Sequence, residues 1–368
     1  MRLLVTGGAG FIGANFVRYW LAKHAMDRVV VLDALTYAGN LASLAPVRTN
    51  PNLRFVRGDI ADRALVESLL RGEEIDTVVH FAAESHVDRS IEGPEAFIQT
   101  NIVGTHSLLQ AARRVWVEEG RAHRHRFHHV STDEVFGSLG AGDAAFCENT
   151  AYAPNSPYSA SKAASDHIVR AYQHTYGLCT TISNCSNNYG PFQFPEKLIP
   201  LMIIRAIEGK PLPIYGDGLH VRDWLHVDDH CRAIDLILHR TCSGETYNIG
   251  GNCERTNRDV VDTLCALLDA AFCEDPLLAT RHPGAPMASG GSARSLITFV
   301  KDRPGHDRRY AIDPRKAQEH LAYSPQLSLE QGLAATVGWY LANEVWWSAI
   351  LRGEYRAWVD RHYAVAAH

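Results

Sequence analysis

No apolar run in this 368-residue sequence approaches the roughly 20 residues that a bilayer-spanning helix needs. No charged leader with a long apolar stretch stands at its start, where Arg2-Leu3-Leu4-Val5-Thr6 leads directly into glycines. Neither membrane insertion nor export is expected, and a cytoplasmic protein is. Charge of one sign is equally scarce, since 36 Lys and Arg face 41 Asp and Glu for a net charge of -5. That balance favours neither nucleic acid nor an anionic membrane, so any anion-binding site must be local. The eight cysteines, at 147, 179, 185, 231, 242, 253, 265 and 273, include no C-x-x-C pair. They read as buried thiols in a reducing compartment, and no metal site is expected.

What is present is an ordinary globular composition, 46% hydrophobic, enough for one large or two modest domains. Residues 2 to 6 form a short buried strand. Gly7, Gly10 and Gly13 follow it with G-x-x-G-x-x-G spacing and open a helical pattern that runs to about Lys23. Glycines placed between a strand and a helix permit a tight turn, close approach of backbone to a pyrophosphate, and an anion at the helix N-terminus. A second strand, Val29 to Leu32, ends at Asp33, where a carboxylate accepts from ribose hydroxyls and repels a 2'-phosphate. NAD rather than NADP is the expected cofactor.

The alternation continues through Leu53 to Val56, ending at Gly58-Asp59-Ile60, and through Thr77 to Phe81, ending at Ala82-Ala83-Glu84-Ser85-His86. Asp59 also suits a cap on the following helix. A long helix over about 95–116 is expected, with Phe97, Ile98, Ile102, Leu108, Leu109 and Ala112 as its apolar residues. Further strands lead into Ser131 and, at Thr180 to Ser183, into Asn184-Cys185-Ser186-Asn187-Asn188. The repeated units predict a Rossmann-type, doubly wound parallel α/β sheet. Prolines 191, 195, 200, 211 and 213 then break the rhythm. We therefore divide the chain into a dinucleotide-binding domain at 1–190, to which some later segments return, and a smaller, irregular C-terminal substrate-binding domain at 191–368. Residues 274–296, rich in Pro, Gly, Ala and Ser, read as a flexible surface excursion. Tyr340, Trp346 and Trp347 are expected to seal the core or an interface. Arg121 to Arg126 reads as a charged, solvated loop, and His128 and His129 as packed strand residues.

The chemistry concentrates between Ser131 and Lys162. Thr132-Asp133-Glu134 sits at the carboxyl end of a strand, where open parallel sheets bind ligands. Two adjacent carboxylates there make an acid and a base if their surroundings separate their proton affinities. Tyr158 and Lys162 lie one helical turn apart on one face, so the ammonium is placed to favour the phenolate, a base for an alcohol proton. Taken alone, Tyr-x-x-x-Lys also fits a solvated helix face, and Asp-Glu a turn cap. Beyond residue 191, Lys197, Arg222, Arg255, Arg258, Arg303, His306, Arg308 and Arg309 gather positive charge in an acidic protein. Arginine forks bind phosphates in pairs of hydrogen bonds, so a diphosphate ligand is a natural target.

These motifs resemble, over nearly the whole chain, the extended short-chain dehydrogenase/reductases, and within them the dTDP-glucose 4,6-dehydratase family. They are Thr6-Gly7-Gly8-Ala9-Gly10-Phe11-Ile12-Gly13, Ala82-Ala83-Glu84-Ser85-His86-Val87-Asp88, Ser131 to Val135, Tyr158 to Lys162, Asn184 to Gly190, and Asp302-Arg303-Pro304-Gly305-His306-Asp307. The glycine loop and the Tyr/Lys pair are shared with many relatives, whereas Thr-Asp-Glu and 303–307 discriminate. The resemblance implies a lyase that turns dTDP-glucose into its 4-keto-6-deoxy form with tightly held NAD. In it Tyr158 would take the C4 hydroxyl proton with Thr132 beside it, Lys162 would hold Tyr158 and the nicotinamide ribose, Glu134 would take the C5 proton, and Asp133 would protonate the departing C6 hydroxyl. It further implies cofactor contacts at Phe11, Ile12, Asp33, Leu35, Thr36, Asp59, Ile60, Ala82, Ala83, Ser85, Thr100, Tyr158, Lys162 and Asn188. Substrate contacts are implied at Ser85, Thr132, Asn187, Lys197, Leu198, Pro213, Ile214, Tyr215, Arg222, Asn257, Arg303 and His306. A homodimer through helices 95–116 and 157–176 is implied as well. Phe136 stands where the family usually has Tyr, with little effect expected on the chemistry.

A nucleotide-sugar 4-epimerase would share Tyr158 and Lys162 but lack the acid pair, as would a decarboxylating relative. A dinucleotide sensor on the same fold would be expected to lose catalytic residues, and all are present.

Overall fold

The computed structural model describes residues 1–120, 125–241, 243–302 and 305–352. Seven strands build one parallel sheet: β1 (Arg2–Thr6), β2 (Arg28–Asp33), β3 (Leu53–Arg57), β4 (Thr77–His80), β5 (Arg126–Thr132), β6 (Thr180–Cys185) and, after β7 (Asn187–Tyr189), β8 (Leu212–Tyr215) and β9 (Val221–His226), strand β10 (Thr246–Ile249). The order across it is β3-β2-β1-β4-β5-β6-β10. The chain therefore reverses direction between β1 and β4, and side chains at the carboxyl ends of these strands open into a crevice.

Side chains alternate across a strand, so each central strand feeds two cores. Leu3 and Val5 of β1 pack with Phe16, Val17 and Trp20 of the Phe11–Lys23 helix and with Ile234 and Leu238 of the Val227–Arg240 helix. Leu4 faces the other way, toward Val66, Leu70, Leu108 and Trp116. The Val227–Arg240 helix and β10 thus join the first sheet although they lie far beyond residue 190.

A separate core gathers Ile203 and Ile207, Val261, Leu264 and Leu268, and Leu333, Val337 and Tyr340, from the helices Leu198–Ile207, Asn257–Glu274 and Leu329–Ala342. Beside it, β11 (Glu254–Thr256) completes the sheet β11-β9-β7, and β12 (Ile297–Val300) pairs with β8. Tyr340 and Trp347 are buried there, and the Tyr340 hydroxyl donates to the Gln193 carbonyl.

Residues 95–118 form one helical rod, widened into π turns at Ile98–Gly104 and Arg113–Glu118. Because a π turn adds a residue to each rotation, the apolar stripe drifts. Phe97, Leu108, Leu109 and Ala112 are buried, Ile102 is half-buried, and Ile98 is 51% exposed.

Other expectations are corrected. The cap of the Arg63–Gly72 helix is Asp62, which accepts the Leu65 N–H at 3.0 Å, while Asp59 accepts from Ala61 in a tight turn of its own. Of the loop expected at Arg121 to Arg126, residues 121–124 lie outside the described residues. Arg126 itself is in β5 and reaches the Ile237 and Thr241 carbonyls. Of the described cysteines, 185, 231 and 265 are buried, 147, 179 and 253 are half-buried and Cys273 is exposed. No helix among the described residues is long and apolar enough to cross a membrane.

The largest correction concerns 274–296. Instead of a flexible excursion it holds a short helix, Leu277–Arg281, and two 3-10 turns. Leu278, Ala285, Met287 and Ala293 are buried in the second core, and Asp269 accepts from the Ser292 hydroxyl and the Ala293 N–H. The buried positions follow neither helical nor strand spacing, so no periodicity announces them.

This packing predicts that Leu278→Ala and Met287→Ala each lower unfolding free energy by about 2–4 kcal/mol in denaturant titrations. Losses under about 0.5 kcal/mol would return the segment to a surface loop.

Candidate active site

The crevice at the ends of β1, β2, β4 and β5 is lined by Gly7, Gly10, Phe11, Ile12 and Gly13, by Asp33, Thr36, Asp59 and Ile60, and by Ala82, Ala83, Ser85, Thr100 and Asn188. Thr132, Asp133, Glu134, Tyr158 and Lys162 line it too. Leu35 does not; at φ +54° it donates its backbone N–H to Asp33 Oδ1 at 2.8 Å.

Two glycines are fixed by close approach. A Cβ on Gly7, at φ +68°, would stand 2.6 Å from the Ala82 nitrogen, and one on Gly13 would stand 2.3 Å from the Gly7 carbonyl oxygen. The loop therefore lies flat between β1 and β4, with the Phe11–Lys23 helix beginning beneath the crevice and its N-terminal N–H groups free of side-chain caps. That end suits a pyrophosphate. Asp33 is buried and accepts from Ala9 at 2.9 Å as well as from Leu35. Burial raises its proton affinity and the two backbone donors oppose that rise. Each oxygen keeps a second lone pair, which fits ribose hydroxyls.

At the end of β5, Thr132 caps the turn Asp133–Phe136 by accepting the Glu134 N–H. Asp133 is 1% exposed and receives one hydrogen bond, from the Thr132 hydroxyl at 3.3 Å. Burial first, then Glu134 and Asp223, hold its carboxyl well above the ordinary range, which favours its protonated form. From the Pro157–Tyr176 helix, capped by Ser156 and started by Pro157, come Tyr158 and Lys162, both buried.

The Tyr/Lys relation differs from expectation. Lys162 Nζ donates to the Val130 carbonyl at 2.9 Å, while the nearby Thr132 side chain lowers the proton affinity of the Tyr158 phenol. Burial, then Glu134 and Cys185, push the phenol well above its usual range, and burial lowers the Lys162 ammonium. A dry cluster penalises both charges, and this outweighs the helical-turn proximity of the pair. Phe136 lies outside the crevice, stacked on Phe146 and edge-on to Tyr152.

Of the expected substrate residues, Ser85, Thr132, Asn187 and Lys197 line the crevice, and Lys197 donates to the Ser85 carbonyl at 3.0 Å. Leu198, Pro213, Ile214, Tyr215, Arg222, Asn257 and His306 are absent from its lining. Ile214 is packed in the second core. Arg222 is buried over the Tyr310 ring and donates to the Val221 and Asp307 carbonyls. Tyr215, Asn257 and His306 instead gather around His220. The His306 ring stacks on His220 at 3.6 Å and stands edge-on to Tyr215, and Asn257 donates to the His220 carbonyl. Arg303 lies outside the described residues. Arg308 and Arg309 are paired with Asp217 and Glu254, so this side is less cationic than its composition suggests.

Sequence reasoning missed Glu196. It is buried in the crevice wall, takes a hydrogen bond from the Tyr37 hydroxyl, and lies 3.4 Å from the Arg89 guanidinium. Burial pushes its carboxyl up to about 6 despite these partners. A lone Glu between Pro195 and Lys197 carries no spacing signal; its aromatic neighbours Phe192 and Phe194 are the only hint.

The chain matches the GDP-mannose 4,6 dehydratase family model over residues 4–336. It is 57% identical to a dTDP-glucose 4,6-dehydratase of Xanthomonas campestris over 96% of this chain and 97% of that one. The chain belongs to the dTDP-glucose 4,6-dehydratase family. Among solved structures it resembles the dTDP-glucose 4,6-dehydratase of Streptomyces venezuelae crystallised with NAD, at 49% identity and a TM-score of 0.84, over 95% of this chain and 100% of that one. A UDP-glucuronic acid 4-epimerase of Bacillus cereus is 28% identical at a TM-score of 0.79, over 93% and 99%. The dehydratase family thus shares its fold with epimerases, and the site must separate them.

For the glycine cradle, Gly13→Ala is expected to leave the purified protein with less than about a tenth of the wild-type NAD content, read by chromatography of the denatured supernatant. Unchanged content would mean that this contact does not shape the cofactor site.

Proposed function

We propose that this chain is a dTDP-glucose 4,6-dehydratase, and the observation that supports it most is the pairing of Asp133 and Glu134 with Tyr158 in one crevice. Redox chemistry at a sugar hydroxyl needs Tyr158 and Lys162; loss of water needs an acid and a second base as well. When bound, oxidised NAD supplies a reversible acceptor for the C4 hydride and a positive ring that favours the phenolate. Tyr158 Oη takes the C4 hydroxyl proton, and the Thr132 hydroxyl steadies the same oxygen. Lys162 Nζ would hold the nicotinamide ribose. With a ketone at C4, the C5 proton becomes acidic and Glu134 removes it. Asp133, whose buried setting favours its protonated form, gives its proton to the C6 oxygen as water leaves. The hydride taken from C4 would be returned at C6 while Glu134 gives a proton back to C5, so no net oxidant is consumed and the cofactor need not dissociate.

Ser85, Asn187 and Lys197 are assigned to the substrate in the crevice, and Arg303, by the family resemblance, to its diphosphate. The rod at 95–118 and the Pro157–Tyr176 helix are assigned to a homodimer face, because Ile98, Val103 and Tyr176 are exposed there.

Incubation with dTDP-glucose, without added NAD, is expected to yield a 4-keto-6-deoxy sugar detectable by its alkaline absorbance, and UDP-glucose is expected to yield far less. No product from either, with NAD supplied and the fold intact, would remove the dehydratase reading. Glu134→Gln is expected to cut kcat by about 10²–10⁴ and to abolish solvent deuterium incorporation at C5. Retained incorporation would move the base elsewhere.

Ile98→Glu together with Val103→Glu is expected to turn a dimer into a monomer in sedimentation velocity. A wild-type monomer, or a variant dimer, would reject this face.

A further inference from the structure

Asp166 lines no part of the crevice and takes no step in the reaction above. We propose that it is a positioning residue, the buried counter-charge that keeps Lys162 an ammonium and ties the Thr132 strand end to the Tyr158 helix; the proposal rests on the dehydratase reading. Residues four apart on a helix share a face, so Asp166 lies one turn beyond Lys162 on the same side. Both are buried, Asp166 completely. The one hydrogen bond described for Lys162 Nζ goes to a neutral acceptor, the Val130 carbonyl. An ammonium in such a place needs an anion within reach.

The carboxylate is built in from three directions. Asp166 Oδ2 accepts from the Ser131 hydroxyl at 2.9 Å, from the Tyr152 hydroxyl at 2.8 Å and, more weakly, from Asn184 Nδ2 at 3.4 Å. Its Oδ1 lies 3.2 Å from His129 Nε2. Ser131 directly precedes Thr132, so one side chain of the helix fixes the strand end from which the catalytic triplet projects.

The neighbouring titratable groups leave Asp166 as the anion on this side. His129 and His80 on β5 and β4 are driven toward the neutral form by burial, His129 down to about 4. Cys185 on β6 is pushed up to about 12 and stays a thiol, and burial raises the Asp133 carboxyl well above its ordinary range. Arg170, one turn further along the helix, donates to the Tyr152 hydroxyl at 2.8 Å. Glu134 faces Tyr158 from the crevice. Burial alone would push the Asp166 carboxyl up, but His129, Lys162 and Ser131 more than offset this and hold it below its ordinary range.

The test is Asp166→Asn, with NAD content and circular dichroism confirming the fold. Removing the anion favours the free amine, so the limb on which kcat falls with rising pH is expected to move about one unit toward lower pH, with kcat at pH 8 down roughly tenfold or more and KM little changed. Asp166→Glu, which keeps the charge, is expected to restore the position of the limb. Acetic anhydride labelling of Lys162, followed by peptide mass, is expected to begin at lower pH in the Asn variant. A lower kcat with both limb and labelling unmoved would make Asp166 merely structural and overturn the proposal. Should the Asn variant not fold, Asp166→Ser removes the same anion while keeping a hydroxyl for Ser131 and Tyr152, and is expected to move the falling limb and the onset of Lys162 labelling toward lower pH in the same way. Both unmoved overturns the proposal in that case. The labelling needs no substrate, so it judges Asp166 even if wild-type protein makes no 4-keto product, which would fail the dehydratase reading alone.

Discussion

A charge inside a protein must be neutralised, paired or given up, and this site is arranged around that constraint. Tyr158, Lys162, Asp133 and Asp166 all have little or no contact with water. Burial pushes the first three toward their neutral forms, whereas Asp166, surrounded by donors, stays charged. The consequences divide the labour. On the proposed reading, a carboxyl whose protonated form burial favours is suited to serve as an acid, and a carboxylate behind the helix to stabilise the cation beside the base. Tyr158 gains least from the protein alone, since Glu134 and burial both oppose its phenolate. On the proposed reading its service as a base would depend on the positive ring of the bound cofactor, coupling proton removal at C4 to the presence of a hydride acceptor.

Two pieces of backbone hold this balance in place. β5 delivers Ser131 to Glu134 in sequence, with Ser131 turned back toward Asp166 and Thr132 capping the turn that aims the acids. The Pro157–Tyr176 helix delivers Tyr158, Lys162 and Asp166 at one-turn intervals on a shared face. Its start is secured by Pro157 and by a reciprocal pair of hydrogen bonds between Ser156 and Ser159, and such capping is worth about 1 kcal/mol. Fraying there would move the catalytic phenol first, because Tyr158 is only the second residue of the helix.

The parts that were legible in the sequence are those written in local spacing. The strands alternate into two cores, so their runs of Val and Leu announce them, and the glycines are placed by contacts within a single turn. The Thr-Asp-Glu triplet and the Tyr/Lys pair were legible for the same reason. What spacing could not disclose is what a residue meets after folding. Residues 274–296 pack through isolated anchors without a period. Arg308 and Arg309 looked like anion binders, and their partners Asp217 and Glu254 lie 91 and 55 residues away in the chain. Glu196 and Tyr37, separated by 159 residues, meet across the crevice. Asp166 was visible as a letter four places after Lys162, but its role depends on Ser131 and Tyr152 reaching it from elsewhere.

The fold by itself does not choose the reaction. TM-scores of 0.84 to a dehydratase and 0.79 to an epimerase describe one scaffold, and both kinds of enzyme work on a nucleotide sugar with a bound dinucleotide. An epimerase must hand the hydride back to C4, so a base that reaches C5 would divert its ketone into elimination. A dehydratase needs that diversion, and it needs an acid close enough to protonate the leaving oxygen before reversal occurs. Asp133 and Glu134, adjacent in sequence and placed in the same crevice as Tyr158, are the residues proposed to provide both. On this scaffold the difference between moving a hydroxyl and removing one is therefore concentrated in the turn after β5.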